Sequence, residues 1–482
     1  MLKYIILVFI FSLLFFVNTN TANAVEDPLI VTNNKFGIHI VDTNDIESAA
    51  SLVNTSGGDW GYVTLIITEE ERDQKRWQEV FNKMRRLHLI PIVRIATKQE
   101  ENGWKKFTPE ESESWTSFLN SLNWVVKNRY VIIGNEPNHS KEWGGEVNPK
   151  EYANVLKGFS ISLKNASSDF FILPAGLDAS APDDNSHQSE VSFLKEMISS
   201  QPDIFDHIDA WTSHSYPNPN FSGSENDTGK GTIKTYEWEI EKLKELGVEK
   251  EFPIFITETG WTHDEYGNVN NEDSLGQKYT KAFNEIWDNE KIVAVTPFIL
   301  NYIDEPFSVF SWKNKNGEFY PFVDDVKIIN KITGTPTQVT SGEVKYLLTP
   351  RIVKTNTRFT GVLFLKNTGQ SIWEQGEISI EYSSDLPVSF SLPHDVEPNR
   401  FVYIPLEFNS GDEEKLVEGK VRVLRRGIPF GEYTYYKISV VKGIFTPWDA
   451  LIQAKKILLG WMIAKQRDEI ASLSLSRIFE IN

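Results

Sequence analysis

The chain has 482 residues, 40% hydrophobic and 12% aromatic, with 49 Lys and Arg against 67 Asp and Glu, a net charge of −18. The length exceeds one ordinary domain of about 150 residues, and the acidity argues against a nucleic-acid partner, because phosphate binding needs clustered Lys and Arg. Cysteine is absent, which excludes disulfides and thiolate metal sites.

The N-terminus reads as a targeting signal. Met1-Leu2-Lys3 is positively charged, Tyr4 to Val17 is apolar but for Ser12, and Ala22-Asn23-Ala24 fits a small-x-small cleavage site. The apolar run is about 14 residues, short of the roughly 20 that a spanning helix needs. Residues 1–24 are therefore expected to be a secretory signal peptide, and the protein to be secreted or held at the cell surface. An uncleaved N-terminal anchor would export it equally.

From about residue 35 to 330, short β-rich apolar runs alternate with amphipathic stretches. The strand-like runs are 36–40, 62–67, 90–95, 130–133, 170–173, 208–211, 253–257 and 292–295. Nearly continuous apolar character is that of strands buried on both faces. Between them lie helix starts such as Thr108-Pro109-Glu110-Glu111, leading to Trp115, Phe118, Leu119 and Leu122, and Asn148-Pro149-Lys150-Glu151. Eight strand–helix units in a row predict an α/β domain over 25–335, a (β/α)8 TIM barrel. A doubly wound open sheet would have fewer strands and a glycine-rich first turn.

After residue 335 the texture changes. Thr333-Gly334-Thr335-Pro336-Thr337 is linker-like, and segments from about 345 to 442 are short, alternating and separated by turn residues. They predict an all-β sandwich over 336–442. Within it, Asn367-Thr368-Gly369 followed by Trp373 resembles an immunoglobulin-like accessory module. The tail 443–482 contains two apolar stretches broken by Lys455 and Lys456. It reads as a helical tail that either docks on the protein body or makes peripheral contact with a membrane, a cell surface or a partner.

In a TIM barrel the chemistry sits at the C-terminal ends of the strands. The fourth strand ends in Gly134-Asn135-Glu136-Pro137 and the seventh in Thr257-Glu258-Thr259-Gly260-Trp261. A buried apolar strand has no structural use for a glutamate at its tip unless that carboxyl is paired or functional. Two such glutamates, three strands apart, can face each other across a cleft.

Asn135-Glu136-Pro137 with Glu258 in Ile256-Thr257-Glu258-Thr259-Gly260-Trp261 resembles the clan A retaining glycoside hydrolases, families 39 and 5 in particular, over about residues 35–325. The resemblance implies that Glu136 is the general acid/base, Glu258 the nucleophile and Asn135 a hydrogen-bonding partner of the sugar 2-hydroxyl. Such a mechanism needs carboxyls roughly 5–5.5 Å apart and different pKa values for the pair. His214 and Tyr216, after the sixth strand, are implied to hold the nucleophile; a satisfied core histidine is the plainer reading of His214. Beyond the eighth strand, Trp312 is implied to lie under the sugar.

Other candidates come from position alone. Arg94, near the end of the third strand, could hold Glu258 ionised or form a structural ion pair. Trp143, Trp104 and Trp261 lie on mouth-side loops as candidate stacking platforms, and His39 ends the first strand. Glu142, Glu146 and Asp178 are further loop carboxyls, and Asp304 and Glu305 are expected to be solvated. No metal site is expected, because no two-His motif or tight carboxylate cluster at metal-ligand spacing appears, and no cofactor, since carboxyls fill both chemical roles. The substrate expected is a β-linked poly- or oligosaccharide. A non-catalytic glycan-binding barrel and a transglycosylase remain open beside hydrolysis.

Overall fold

The computed structural model describes residues 25–264 and 275–443, with Leu451, Lys455, Leu458 and Leu459 beyond. The expected signal peptide and nearly all of the expected C-terminal tail lie outside the described residues. The described chain divides into two compact units at Thr337/Gln338.

The first unit carries eight parallel strands in sequence order: β1 (Gly37–Ile40), β2 (Gly61–Thr68), β3 (Leu89–Ala96), β4 (Arg129–Ile133), β5 (Phe170–Pro174), β6 (Trp211–His214), β7 (Ile254–Glu258) and β8 (Ile292–Val295). Strands β1 to β5 form one sheet and β8-β7-β6 another. Backbone bonds cross both seams. Asp209 N donates to Ile172 O at 2.9 Å beside β5, and Val295 N donates to Lys35 O at 2.9 Å beside β1. Inside, Tyr62, Tyr130, Phe171 and Phe255 from β2, β4, β5 and β7 meet with ring centroids 5.0–6.4 Å apart. Thr64 of β2 also reaches Thr296, just past β8, at 2.9 Å. The arrangement is TIM-barrel-like, and its strands are apolar on both faces because both are covered.

Helices fill the crossovers: α1 (Ile46–Val53), α2 (Gln74–Arg86), α3 (Ser112–Asn120), α4 (Pro149–Ala166), α5 (Glu190–Ser200), α6 (Thr235–Glu245), α7 (Leu275–Lys281) and α8 (Phe322–Lys327). Helix α4 shows why they form. Asn148 caps it by accepting from Glu151 N at 3.2 Å, and Pro149 stands at its first position. Tyr152, Leu156, Phe159 and Leu163 recur at helical spacing on its buried face. The sixth strand starts at Trp211, later than the 208–211 expected, because Ile204–His207 is a 3-10 turn and Asp209 is spent bonding Ile172. The shift makes His214 the strand's last residue.

The second unit is built of two four-stranded sheets. Strands β9 (Gly342–Leu348), β11 (Arg358–Asn367), β14 (Phe401–Asn409) and β13 (Val388–Phe390) form one, in that order. Strands β10 (Ile352–Lys354), β16 (Ile428–Val441), β15 (Lys415–Arg425) and β12 (Ile378–Ser383) form the other. Alternate residues of β14 and β15 are buried, as a half-covered sheet requires. Trp373 is fully buried. The Asn367 amide ties its turn together, donating to Ser371 O and Val396 O at 2.9 Å each.

Candidate active site

At the C-terminal ends of the strands of the first unit lies a cavity of about 500 Å³. Arg94, Asn135, Glu136, His214, Tyr216 and Glu258 all line it, so tertiary structure gathers residues from β3, β4, β6 and β7.

Glu258 is the terminal residue of β7 and only 8% exposed. Arg94 Nη1 donates to its Oε1 at 2.8 Å and Tyr216 Oη to its Oε2 at 3.1 Å. His214 Nδ1 lies 3.8 Å from Oε2. Burial by itself would raise the pKa of Glu258, but the positive charges of His214 and Arg94 and the Tyr216 bond outweigh it and hold the carboxyl below its ordinary value. His39 sits behind it, fully buried, with Nδ1 3.8 Å from Oε1. Burial and the Arg94 charge push His39 down to about 3, so it stands neutral beside Glu258. Neither of its ring nitrogens has a hydrogen-bond partner among the described residues.

Glu136 follows Gly134, whose φ of +85° ends β4, and itself has φ +29°. A non-glycine residue in the left-handed region stores strain, and such strain concentrates at functional sites. Its N–H donates to Gly176 O at 3.1 Å, and its Oε1 meets His214 Nδ1 at 2.7 Å. Gly176 is required by this packing: a Cβ there would stand 2.2 Å from His214 Cδ2. Burial opposes charge on His214, yet the carboxylates of Glu258 and Glu136 raise its pKa overall. One oxygen of Glu136, one ring nitrogen of His214 and one oxygen of Glu258 all lie within 4.8 Å of one another.

By distance alone those three atoms could hold a cation. Those atoms are already engaged: His214 Nδ1 meets Glu136, and Arg94 and Tyr216 bond the two oxygens of Glu258.

Asn135 is oriented at both ends. Its Oδ1 accepts from Arg94 Nη1 at 2.5 Å and its Nδ2 donates to Glu142 Oε2 at 3.2 Å. Burial, then the nearby Glu136 charge, pushes Glu142 up to about 7, against the relief given by Arg94 and Asn135. Farther along the same wall, His139 Nε2 and Asp178 Oδ2 pair at 2.9 Å.

Some expected residues fall elsewhere. Trp312 is 1% exposed and packs in the core on Tyr279 and Phe322, at 4.8 and 5.4 Å between ring centroids, away from the cavity lining. Trp261 is equally buried, its Nε1 donating to Gly223 O at 2.9 Å, and it too is off the lining. Both side chains turn inward because their large apolar surfaces gain more from the core than from water. Trp143 and Trp104 do line the cavity, Trp143 anchored by Nε1 to Glu151 at 3.1 Å. Glu146 pairs with Lys106 outside it, and Asp304 and Glu305 are exposed. Sequence reading missed Phe298, which follows β8 by three residues and lines the cavity, and with it Phe221, Phe307 and Phe310. Its only signal was position: an aromatic just past a strand end on the mouth side.

No family model matches the chain, and no curated protein matches it. Solved structures to which it is similar include glycoside hydrolases of TIM-barrel fold. They include the endo-β-1,4-mannanase from Thermotoga petrophila, at 12% identity and TM-score 0.39 over 85% of this chain and 98% of that one. A family 39 glycoside hydrolase from Bacteroides cellulosilyticus gives 13% identity and 0.43, over 83% and 82%. A family 51 α-L-arabinofuranosidase from Bifidobacterium longum gives 11% and 0.41, over 81% and 98%. At these identities and TM-scores the likeness speaks to neither mechanism nor substrate.

Proposed function

We propose that the protein is an exported retaining β-glycosidase, built on a closed (β/α)8 barrel followed by an immunoglobulin-like sandwich. The observation that carries the reading is the approach of Glu136 and Glu258 to within 4.8 Å, from two strand tips, in unlike surroundings. Nearest oxygens at that distance suit direct attack on the anomeric carbon better than the roughly 6.5–9.5 Å that an inverting pair keeps for its water.

Glu258, kept ionised by Arg94 and His214, attacks the anomeric carbon while Glu136 delivers its proton to the departing glycosidic oxygen. The glycosidic C–O bond breaks and a glycosyl ester on Glu258 forms. Glu136, now a carboxylate, takes a proton from water, whose oxygen displaces Glu258 and restores both groups. His214 Nδ1 occupies one Glu136 oxygen, so the transferred proton belongs on the other. The oriented Asn135 amide meets the sugar beside the reacting centre.

The test is a screen of purified protein against aryl β-glycosides and β-linked polysaccharides, with Glu258→Ala and Glu136→Gln alongside. Glu258→Ala should abolish turnover, and Glu136→Gln should slow it by roughly 10²–10⁴-fold, with the smallest loss on good leaving groups. No product from any substrate, or full activity in Glu258→Ala, would refute the assignment. Retained anomeric configuration in the first product is required.

A further inference from the structure

The cavity has two unlike halves. Apart from Glu136, His214 and Glu258, its charged and titratable acid–base side chains, Glu71, Arg94, Lys105, His139, Glu142 and Asp178, come from β3 or from the segments after β2 to β5. The opposite side is aromatic. Six lining rings form an unbroken series: Tyr216 to Phe221 at 5.1 Å, Phe221 to Phe310 at 5.0 Å, Phe310 to Phe298 at 5.9 Å, Phe298 to Phe307 at 5.6 Å, and Phe307 to Tyr302 at 5.9 Å. The series starts at the residue that donates to Glu258 and ends at the rim, where Phe307 is 44% and Val41 47% exposed. Among the described lining residues of 216–221 and 298–310 none is charged, and the Asn218 amide is tied to Ser180 at 2.9 Å.

Such a wall suits a sugar poorly. Successive rings cross at 74–84°, so they offer no run of parallel faces for pyranose stacking. Hydroxyls pressed against it would lose water without gaining partners. Apolar side chains left exposed at the mouth of a cavity mark a surface that an apolar ligand covers.

We propose that this wall is an aglycone subsite for an aliphatic chain: the substrate is a sugar linked through its glycosidic oxygen to an apolar group. The sugar lies on the Asn135 side and the chain along the rings from Tyr216 to Phe307. The proposal rests on the glycosidase reading and names the class of its leaving group.

The experiment compares methyl, butyl and octyl β-glycosides of glucose, galactose, mannose and xylose, below micelle-forming concentrations, with wild type, Phe307→Ala and Glu258→Ala. For the sugar accepted, kcat/KM should rise at least tenfold from methyl to octyl; full burial of each methylene would give roughly fourfold. The octyl-to-methyl ratio should fall toward one in Phe307→Ala, a half-exposed position whose truncation spares the core. A flat series, or faster turnover of the corresponding disaccharide than of the octyl glycoside, would overturn the subsite. If nothing is cleaved, the glycosidase reading fails, and calorimetry of octyl against methyl glucoside decides the wall separately. Preferential octyl binding that Phe307→Ala removes sustains it, and equal binding or none overturns it.

Discussion

Arg94 spends one nitrogen on two acceptors, Asn135 at 2.5 Å and Glu258 at 2.8 Å, so one side chain both orients the amide and keeps the carboxyl ionised. Replacing it by Gln removes the charge that opposes the cost of burying Glu258. If Glu258 must be ionised to react, activity is lost as pH falls through its pKa, and a higher pKa moves that loss to higher pH. The acid limb of kcat/KM in Arg94→Gln should therefore shift upward by about one unit or more, as a pH–rate profile would read directly. Unchanged limbs would mean that Arg94 only braces the cavity. At this scale the carboxyls were legible, because a glutamate ending an apolar strand demands a partner. The tryptophans were not: Trp312 and Trp261 are as apolar as any platform residue, and nothing local says which face they turn to.

Helices α5 and α6 bring a second pair of acids together, remote in sequence and buried. Glu190 opens α5 with neither oxygen bonded among the described residues, and Glu239 of α6 accepts from Trp211 Nε1 at 3.0 Å. Burial pushes Glu239 up to about 7, and burial together with the Glu239 charge pushes Glu190 well above the carboxylate range. Both folded-state values are raised above the unfolded 4.5, so the folded state holds protons that the unfolded chain releases. The stability contribution of the pair is full below pH 4.5, and the part due to Glu239 is lost as pH rises through about 7. The thermal midpoint should fall between pH 5 and pH 8, and Glu239→Gln should flatten that fall by about 2 °C or more. Equal slopes in wild type and variant would show that the pair titrates normally. Neither glutamate stood out in the sequence, because an acid at a helix start or on an amphipathic helix is ordinarily solvated.

The two units have separate hydrophobic cores, one around the eight parallel strands and one around Trp373, Leu363, Ile404 and Val421. Residues 25–337 expressed alone should melt in a single cooperative transition and keep turnover of small glycosides, since every cavity residue lies within them. A non-cooperative melt would mean that the second unit is needed for folding.

The period of each segment, the number of parallel strands and the two glutamates at strand tips are legible in the residues alone, because apolar runs and end positions are local properties of the chain. Which side chains meet follows from the folded arrangement alone. The placing of His214 between Glu136 and Glu258, the neutral His39 behind them and the two-sided cavity all depend on strand order and on which way each residue faces at its strand end. A shift of one residue reverses that facing, and the chain's local pattern does not fix it.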